Sequence, residues 1–233
     1  MTELIAPGTI DLVLTDPPYC SGGSSLAAKQ ADPSKKYLNT SGSTAYPEFA
    51  GDQLDQRGFL MWCARWIAAS TRLLVDGGLH IQFTDWRQLP VTTDAIQVGG
   101  LTWRGIFPWD KTEQARPRLG GFRAQAEFAV WGSRGKLRPA IGALPGAFRY
   151  PVKIPEKQHI TQKPVELMRQ LVQAAPVGGL VADWFMGSGT TAVAAIESGR
   201  RWVGCEVVPE IFEIACDRIK AAEADHHRAF NER

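Results

Sequence analysis

The chain has 233 residues, 44% of them apolar and 21% charged, with a formal net charge of +2. That is enough length and apolar content for one domain with a sizeable core, and it excludes a disordered acidic or basic tail protein. No run of about 18 apolar residues occurs, the start MTELIAPGT lacks the basic and apolar regions of a secretion signal, and the four cysteines form no CxxC pair. The expectation is a cytoplasmic protein with reduced thiols. His226-His227 lacks metal-ligand spacing, and no metal is expected.

In chain order, IDLVLT (10–15) is short, β-branched and apolar and predicts a buried strand. Residues 20–52 are rich in Ser, Gly, Ala, Lys and Thr without an apolar period, so this stretch is either functional or disordered. A helix is predicted over about 54–75, with Asp52 or Asp55 at its start and Gly77-Gly78 past its end. Phe59, Cys63, Trp66, Ile67, Ser70, Leu73 and Leu74 fall on one face, with Arg57, Arg65 and Arg72 opposite. Strands are predicted at 79–84, 102–108 and 127–131, with a weaker helix at 88–98. Residues 111–157 hold ten Lys/Arg against three acids, a net +7, while the rest of the chain carries −5. This segment fits either a polyanion-binding insertion or a basic solvated loop. Pro164 then opens a helix to about 175, followed by a strand at 180–184, a helix at 190–198, a strand at 202–206 and a helix at 209–224. Strands alternating with helices predict an α/β fold, a doubly wound, mostly parallel twisted sheet.

Two motifs carry chemistry. In LVADWFMGSGTT (180–191) a strand enters a glycine turn that opens a helix, and Glu206 ends the next apolar strand. An acid at that position can take two ribose hydroxyls, as in nucleoside-binding doubly wound folds; a plain strand–helix turn explains the glycines equally well. No Lys follows the second glycine, so it is not a P-loop. The other motif is Asp16-Pro17-Pro18-Tyr19, directly after the first strand. Two prolines stiffen the backbone and leave carbonyls free to accept; the acid is a second acceptor and the aromatic ring a stacking platform. That set suits an exocyclic amine on a flat base, and a rigid strand-end turn is the structural alternative.

Together, DPPY after one strand and FMGSGTT after another resemble the S-adenosylmethionine-dependent amino-methyltransferases of DNA. The order, with the base-binding motif first and a basic segment between, is similar to the permuted β group of phage and restriction-modification enzymes. HITQKPVELM (159–168), FAGDQLDQRG (49–58) and WDKTEQARPRLGGFRAQAEFAVWG (109–132) add to the likeness, which covers about 10–220. The resemblance implies a single bacterial or phage-encoded, Rossmann-like methyltransferase domain over 1–233. It also implies a mobile catalytic loop at 20–52 and a basic target-recognition insertion at 111–157. It implies S-adenosylmethionine as cofactor, double-stranded DNA as partner, and transfer to the N6 amine of adenine after base flipping. Asp16, Pro17, Pro18 and Tyr19 would be catalytic. Asp16, Lys163, Asp183, Phe185, Gly187, Ser188, Gly189, Thr190, Thr191 and Glu206 would serve the cofactor, Lys163 at its methionine carboxylate. Lys35, Lys36, Lys111, Arg116, Arg118 and Arg123 would serve DNA. It allows a homodimer, to which the 54–75 helix offers two tryptophans, and leaves a cognate restriction nuclease open.

The chain departs from the family pattern in places. Asp183-Trp184-Phe185 stands where DPF is usual, and Ile160 where a proline is usual. About nine residues precede the first strand, where relatives usually place another strand near the cofactor's adenine. The competing functions are N4-cytosine methylation and, from another class, a DNA-binding module with a vestigial cofactor fold. Asp16 favours adenine, since cytosine enzymes more often carry Ser there.

Overall fold

The computed structural model describes residues 4–20, 54–115, 117, 119–139, 142–152 and 163–231. Within them the elements run β1 (Ile10–Thr15), α1 (Gln56–Thr71), β2 (Leu74–Thr84), α2 (Leu89–Val98), β3 (Thr102–Asp110), β4 (Ala126–Ser133) and β5 (Phe148–Arg149). There follow α3 (Val165–Leu171) with a 3-10 turn over Val172–Ala174, β6 (Leu180–Asp183), α4 (Thr190–Glu197), β7 (Arg201–Gly204) and α5 (Pro209–Asn231).

The described strands form one seven-stranded sheet in the order β5-β3-β4-β2-β1-β6-β7. β1 is parallel to β2 and β6, β6 to β7, and β3 to β5. β4 is antiparallel to both of its neighbours, β2 and β3. All strands but β4 therefore share one direction, and β1, β3, β6 and β7 end at the same edge of the sheet. That edge is where ligands bind in open α/β sheets.

Helices cover both faces, as a doubly wound sheet requires. Leu12 and Leu14 of β1 face a layer that includes Leu167 and Leu171 of α3 and Ala194 and Ala195 of α4. Val13 faces the opposite layer, with Phe59, Cys63, Trp66 and Ile67 of α1 and Ile96 of α2. α1 starts at an Asp55 cap whose carboxylate accepts from the Gly58 N–H, and it buries the face expected of it. α5 packs Ala215, Ile219 and Ala222 on Met186, Ala192, Val193 and Ile196. No described helix is long and apolar enough to cross a membrane.

The sequence reading needs three corrections. α1 stops at Thr71, because Leu74–Gly78 already belong to β2. There the register jumps from Ile10↔Leu74 to Leu12↔Leu79, a bulge whose Gly77 and Gly78 exchange backbone hydrogen bonds with Arg134. α5 continues to Asn231, beyond the predicted 224. Residues 111–157 are not an insertion throughout, because β4 and β5 lie inside them and β4 is central to the sheet. Among the described residues β7 is the sheet's edge, with no further strand beyond it.

One buried polar column has a consequence for stability. His80, Gln82 and Thr84 of β2 point under α1 and α2, and the His80 ring lies 5.6 Å from that of Trp66. Burial pushes His80 down to about 4, and a weak contact with Gln82 opposes this. The folded state thus holds His80 neutral, while the unfolded chain binds its proton below about 6.5. Stability is lost as pH falls from about 6.5 to 4, by about 3 kcal/mol at most. His80→Leu should flatten that limb in urea titrations run between pH 4 and 6.5.

Candidate active site

The first cluster forms where β1 ends. Pro17 and Pro18 fold the chain so that the Tyr19 hydroxyl donates to Asp16 Oδ1 at 2.6 Å, three residues back. Lys163, just before α3, donates to Asp16 Oδ2 at 2.5 Å. Both carboxylate oxygens are thus engaged. Lys163 also lies 3.5 Å from Glu127 Oε2 on β4, and Lys111 donates to Glu127 Oε1 at 3.1 Å. Two carboxylates and two ammonium groups therefore balance in a largely dry pocket. Lys163 sits 5.0 Å from the Phe83 ring, 5.5 Å from that of Tyr19 and 5.9 Å from that of Trp109, which adds cation–π attraction. Directly after the motif Cys20 takes φ 54°, a left-handed turn that costs a β-carbon-bearing residue about 1–2 kcal/mol.

The electrostatics follow from this packing. Burial raises the Asp16 carboxyl above its usual range, and Lys163 pulls against that rise. Burial and the two carboxylates lift the Tyr19 phenol well above 10, so it stays protonated and donates. Burial would also raise Glu127, but Lys163 and Lys111 hold it below the usual value. Lys163 stays charged, because Asp16 and Glu127 outweigh the burial that would lower it.

The second cluster lies at the same edge, after β6. Asp183 Oδ1 accepts from the Thr15 hydroxyl at 2.9 Å and the Phe185 N–H at 3.1 Å, while Oδ2 accepts from the Thr191 hydroxyl at 2.5 Å. Burial still raises Asp183 to about 6. The turn Gly187-Ser188-Gly189 enters α4. Gly189 has φ 80°, and a Cβ there would meet Ala215 and Ile219 at 3.2 Å, so glycine allows α5 to approach. Gly187 has φ 51°, and a Cβ there would meet nothing within 4 Å, so this backbone is open to a ligand. Glu206, two residues past β7, takes the Gly187 N–H at 2.9 Å on Oε2 and the Val207 and Val208 N–H groups on Oε1. Ser188, Thr190 and Thr191 are buried. Phe185 packs edge-on against Trp62 at 5.4 Å and Trp66 at 5.3 Å.

The structure thus gathers Asp16, Tyr19 and Lys163 in one cluster and Asp183, Phe185, Gly187, Ser188, Gly189, Thr190, Thr191 and Glu206 in the other. Thr15 joins the two clusters. Lys163 was expected at a methionine carboxylate, but its ammonium is on Asp16 and Glu127. Lys111 was expected to face DNA, but it turns inward to Glu127. Arg123 stays exposed and donates to the carbonyls of Glu113 and Ala115, both at 2.8 Å. Other cations of the basic segment are paired too: Arg134 with Asp76, Arg138 with Asp11, and Arg149 with Asp110 and Glu113. Of the tryptophans offered to a dimer, Trp66 is buried and Trp62 half-buried, and both pack edge-on against Phe185. Lys35, Lys36, Arg116, Arg118 and most of the 20–52 loop lie outside the described residues. Among the described residues no group of three or more His, Cys, Asp or Glu could hold a metal ion.

Two residues were missed as site members. Glu127 was read only as a strand residue in a basic segment. Arg218 of α5 donates through Nη1 to the Ser188 carbonyl at 2.5 Å, the Ser188 hydroxyl at 2.9 Å and the Thr190 hydroxyl at 3.2 Å, which pins the glycine turn. Its signal was a charge set on the apolar stripe of Ile211, Ala215 and Ile219.

Comparison with known proteins bears on the family and the fold. A family model described as DNA methylase, of the N6/N4 type, matches residues 10–217. YubD of Escherichia coli strain K12, which carries a provisional methylase name, is 27% identical over 221 residues, 93% of this chain and 85% of YubD. The type II methyltransferase M1.MboII of Moraxella bovis matches locally, 45% identical over 53 residues, 22% of this chain and 20% of that one. Among solved structures, PvuII DNA methyltransferase, titled cytosine-N4-specific, has TM-score 0.66 at 16% identity, covering 98% of this chain and 88% of that one. M1.HpyAVI in complex with S-adenosylmethionine has TM-score 0.63 at 21% identity, covering 91% and 89%. These structures share the fold, and the family match spans both clusters and the sheet between them. The chain belongs to the N6/N4 DNA methylase family.

Proposed function

We propose that the chain transfers a methyl group from S-adenosylmethionine to the N6 amine of adenine in double-stranded DNA. The observation that carries this is the half-buried Asp16–Tyr19 pair opening on the same sheet edge as the Gly187–Glu206 turn. The open space over Gly187 beside the Glu206 carboxylate fits the cofactor. When bound, S-adenosylmethionine supplies an electrophilic methyl group on a sulfonium sulfur.

The chain's own residues do the rest. The adenine amine is a weak nucleophile because its lone pair is delocalised into the ring. Asp16 and the Pro17 carbonyl accept its two hydrogens and hold the lone pair towards the methyl. Tyr19 releases Asp16 Oδ1 and stacks its ring on the extruded base. The amine then sheds a proton, and Asp16, whose carboxyl is raised by burial, takes it. Positioning supplies most of the acceleration. Glu206 meets the ribose hydroxyls, and Arg218 keeps the turn in register.

The same acceptors suit the N4 amine of cytosine; Asp16, in place of the Ser more usual in cytosine enzymes, supports adenine. Methylation-sensitive long-read sequencing of DNA from cells expressing the chain tests the proposal. N6-methyladenine at a defined site is expected; N4-methylcytosine, or no modified base, would overturn it. Glu206→Ala should weaken cofactor binding by about 1–3 kcal/mol, the scale of lost charge-assisted hydrogen bonds. S-adenosylhomocysteine, which has the same ribose, should lose as much by titration calorimetry. Unchanged affinity for both ligands would remove Glu206 from the cofactor site.

A further inference from the structure

Resting on that proposed function, the geometry points to the Leu119–Phe122 loop tip as a wedge that enters duplex DNA where the target base leaves the stack. Leu119 is 98% exposed and Phe122 97%, three residues apart around Gly120-Gly121. Isolated exposed apolar residues are ordinary, but two nearly bare side chains at one tip make a patch.

The connection that carries them is braced. Arg123 holds the Glu113 and Ala115 carbonyls, Arg149 holds Asp110 and Glu113, and Gln125 donates to Asp110 at 2.7 Å. Its backbone is tied again where Lys111 N–H meets the Gln125 carbonyl at 2.8 Å. A tip mounted this way loses little freedom on binding.

Its position follows from topology. β3 runs parallel to β1, so residues 111–125 emerge at the edge where Asp16 lies. Lys111 and Glu127, at the two roots of this connection, reach Lys163 and through it Asp16. By sequence the connection carries four basic residues and one acid, so its charge suits a phosphate backbone. Apolar side chains inserted between base steps unstack them, and a filled gap favours the extruded base. A docking site for another protein or a lipid surface would have no need to be rooted beside Asp16.

The test uses the full chain and a duplex bearing the site identified by sequencing. Its twin carries an abasic residue opposite the target, where the base leaves the stack more easily. The double variant Leu119→Ala/Phe122→Ala is expected to lose about tenfold or more in kcat/KM on the paired duplex. On the abasic twin it should stay within about twofold of the unchanged chain. Phe122→Trp should retain activity, and affinity for S-adenosylhomocysteine should be unaltered in all variants. Equal losses on both duplexes, or no loss on the paired one, would refute the wedge and leave methylation standing. Absence of any modified site in the parent would refute the methylation proposal itself, and the wedge with it.

Discussion

Asp16→Ala is expected to lower single-turnover methyl transfer by about 10³-fold or more while the chain stays folded. The substitution deletes one of two acceptors aimed at the reacting amine. It also frees the Tyr19 hydroxyl, whose 2.6 Å bond to Asp16 places the ring. Folding should survive because Lys163 keeps a second carboxylate, Glu127, at 3.5 Å. Labelled-methyl transfer in one turnover, read beside a melting curve, checks both halves. Near-normal transfer would remove Asp16 from the chemistry.

Lys163→Met should be the most costly change to stability in the site, at about 3–5 kcal/mol. Lys163 is 7% exposed, and its ammonium lies between Asp16 and Glu127. Without it, Glu127 keeps only Lys111 and the half-buried Asp16 carboxylate loses its ammonium partner. Burial already raises Asp16, and its main counterweight is gone. The carboxyl should then hold its proton to higher pH, so the acidic limb of the activity profile should move upward. Lys163→Arg, which keeps the charge, should restore most of that shift. A merely structural lysine would lower stability and leave the limb in place.

Much of this was legible in the residues. IDLVLT, buried on both faces, announced a buried strand, and FMGSGTT gave its turn and helix without ambiguity. Asp16, Tyr19, Gly187 and Glu206 fall together because parallel strands put their ends on one edge, which alternation alone predicts. What could not be read was pairing across long separations. Nothing near Glu127 says that it meets Lys163 and Lys111, since that depends on β4 lying beside β2 and β3. The charge of 111–157 misled for the same reason: its cations look outward in sequence, yet several pair with Asp11, Asp76, Asp110, Glu113 and Glu127 from neighbouring elements. The Gly77-Gly78 pair read as a helix stop because a bulge and a helix end use the same residues.

The position of β1 bears on how the chain assembles. It is the earliest in sequence of the described strands, yet it lies between β2 and β6, and Leu12 pairs with Val181. The β1–β2–β4–β3 part of the sheet joins strands within the first 133 residues, so it can form while synthesis continues. Until β6 arrives, one side of β1 is an open apolar edge, which invites pairing with another nascent chain. Closing it requires contacts of high sequence separation, the slow kind in refolding. The Thr15–Asp183 bond, spanning 168 residues, can form only then, so competence for both ligands should appear together, in the last kinetic phase.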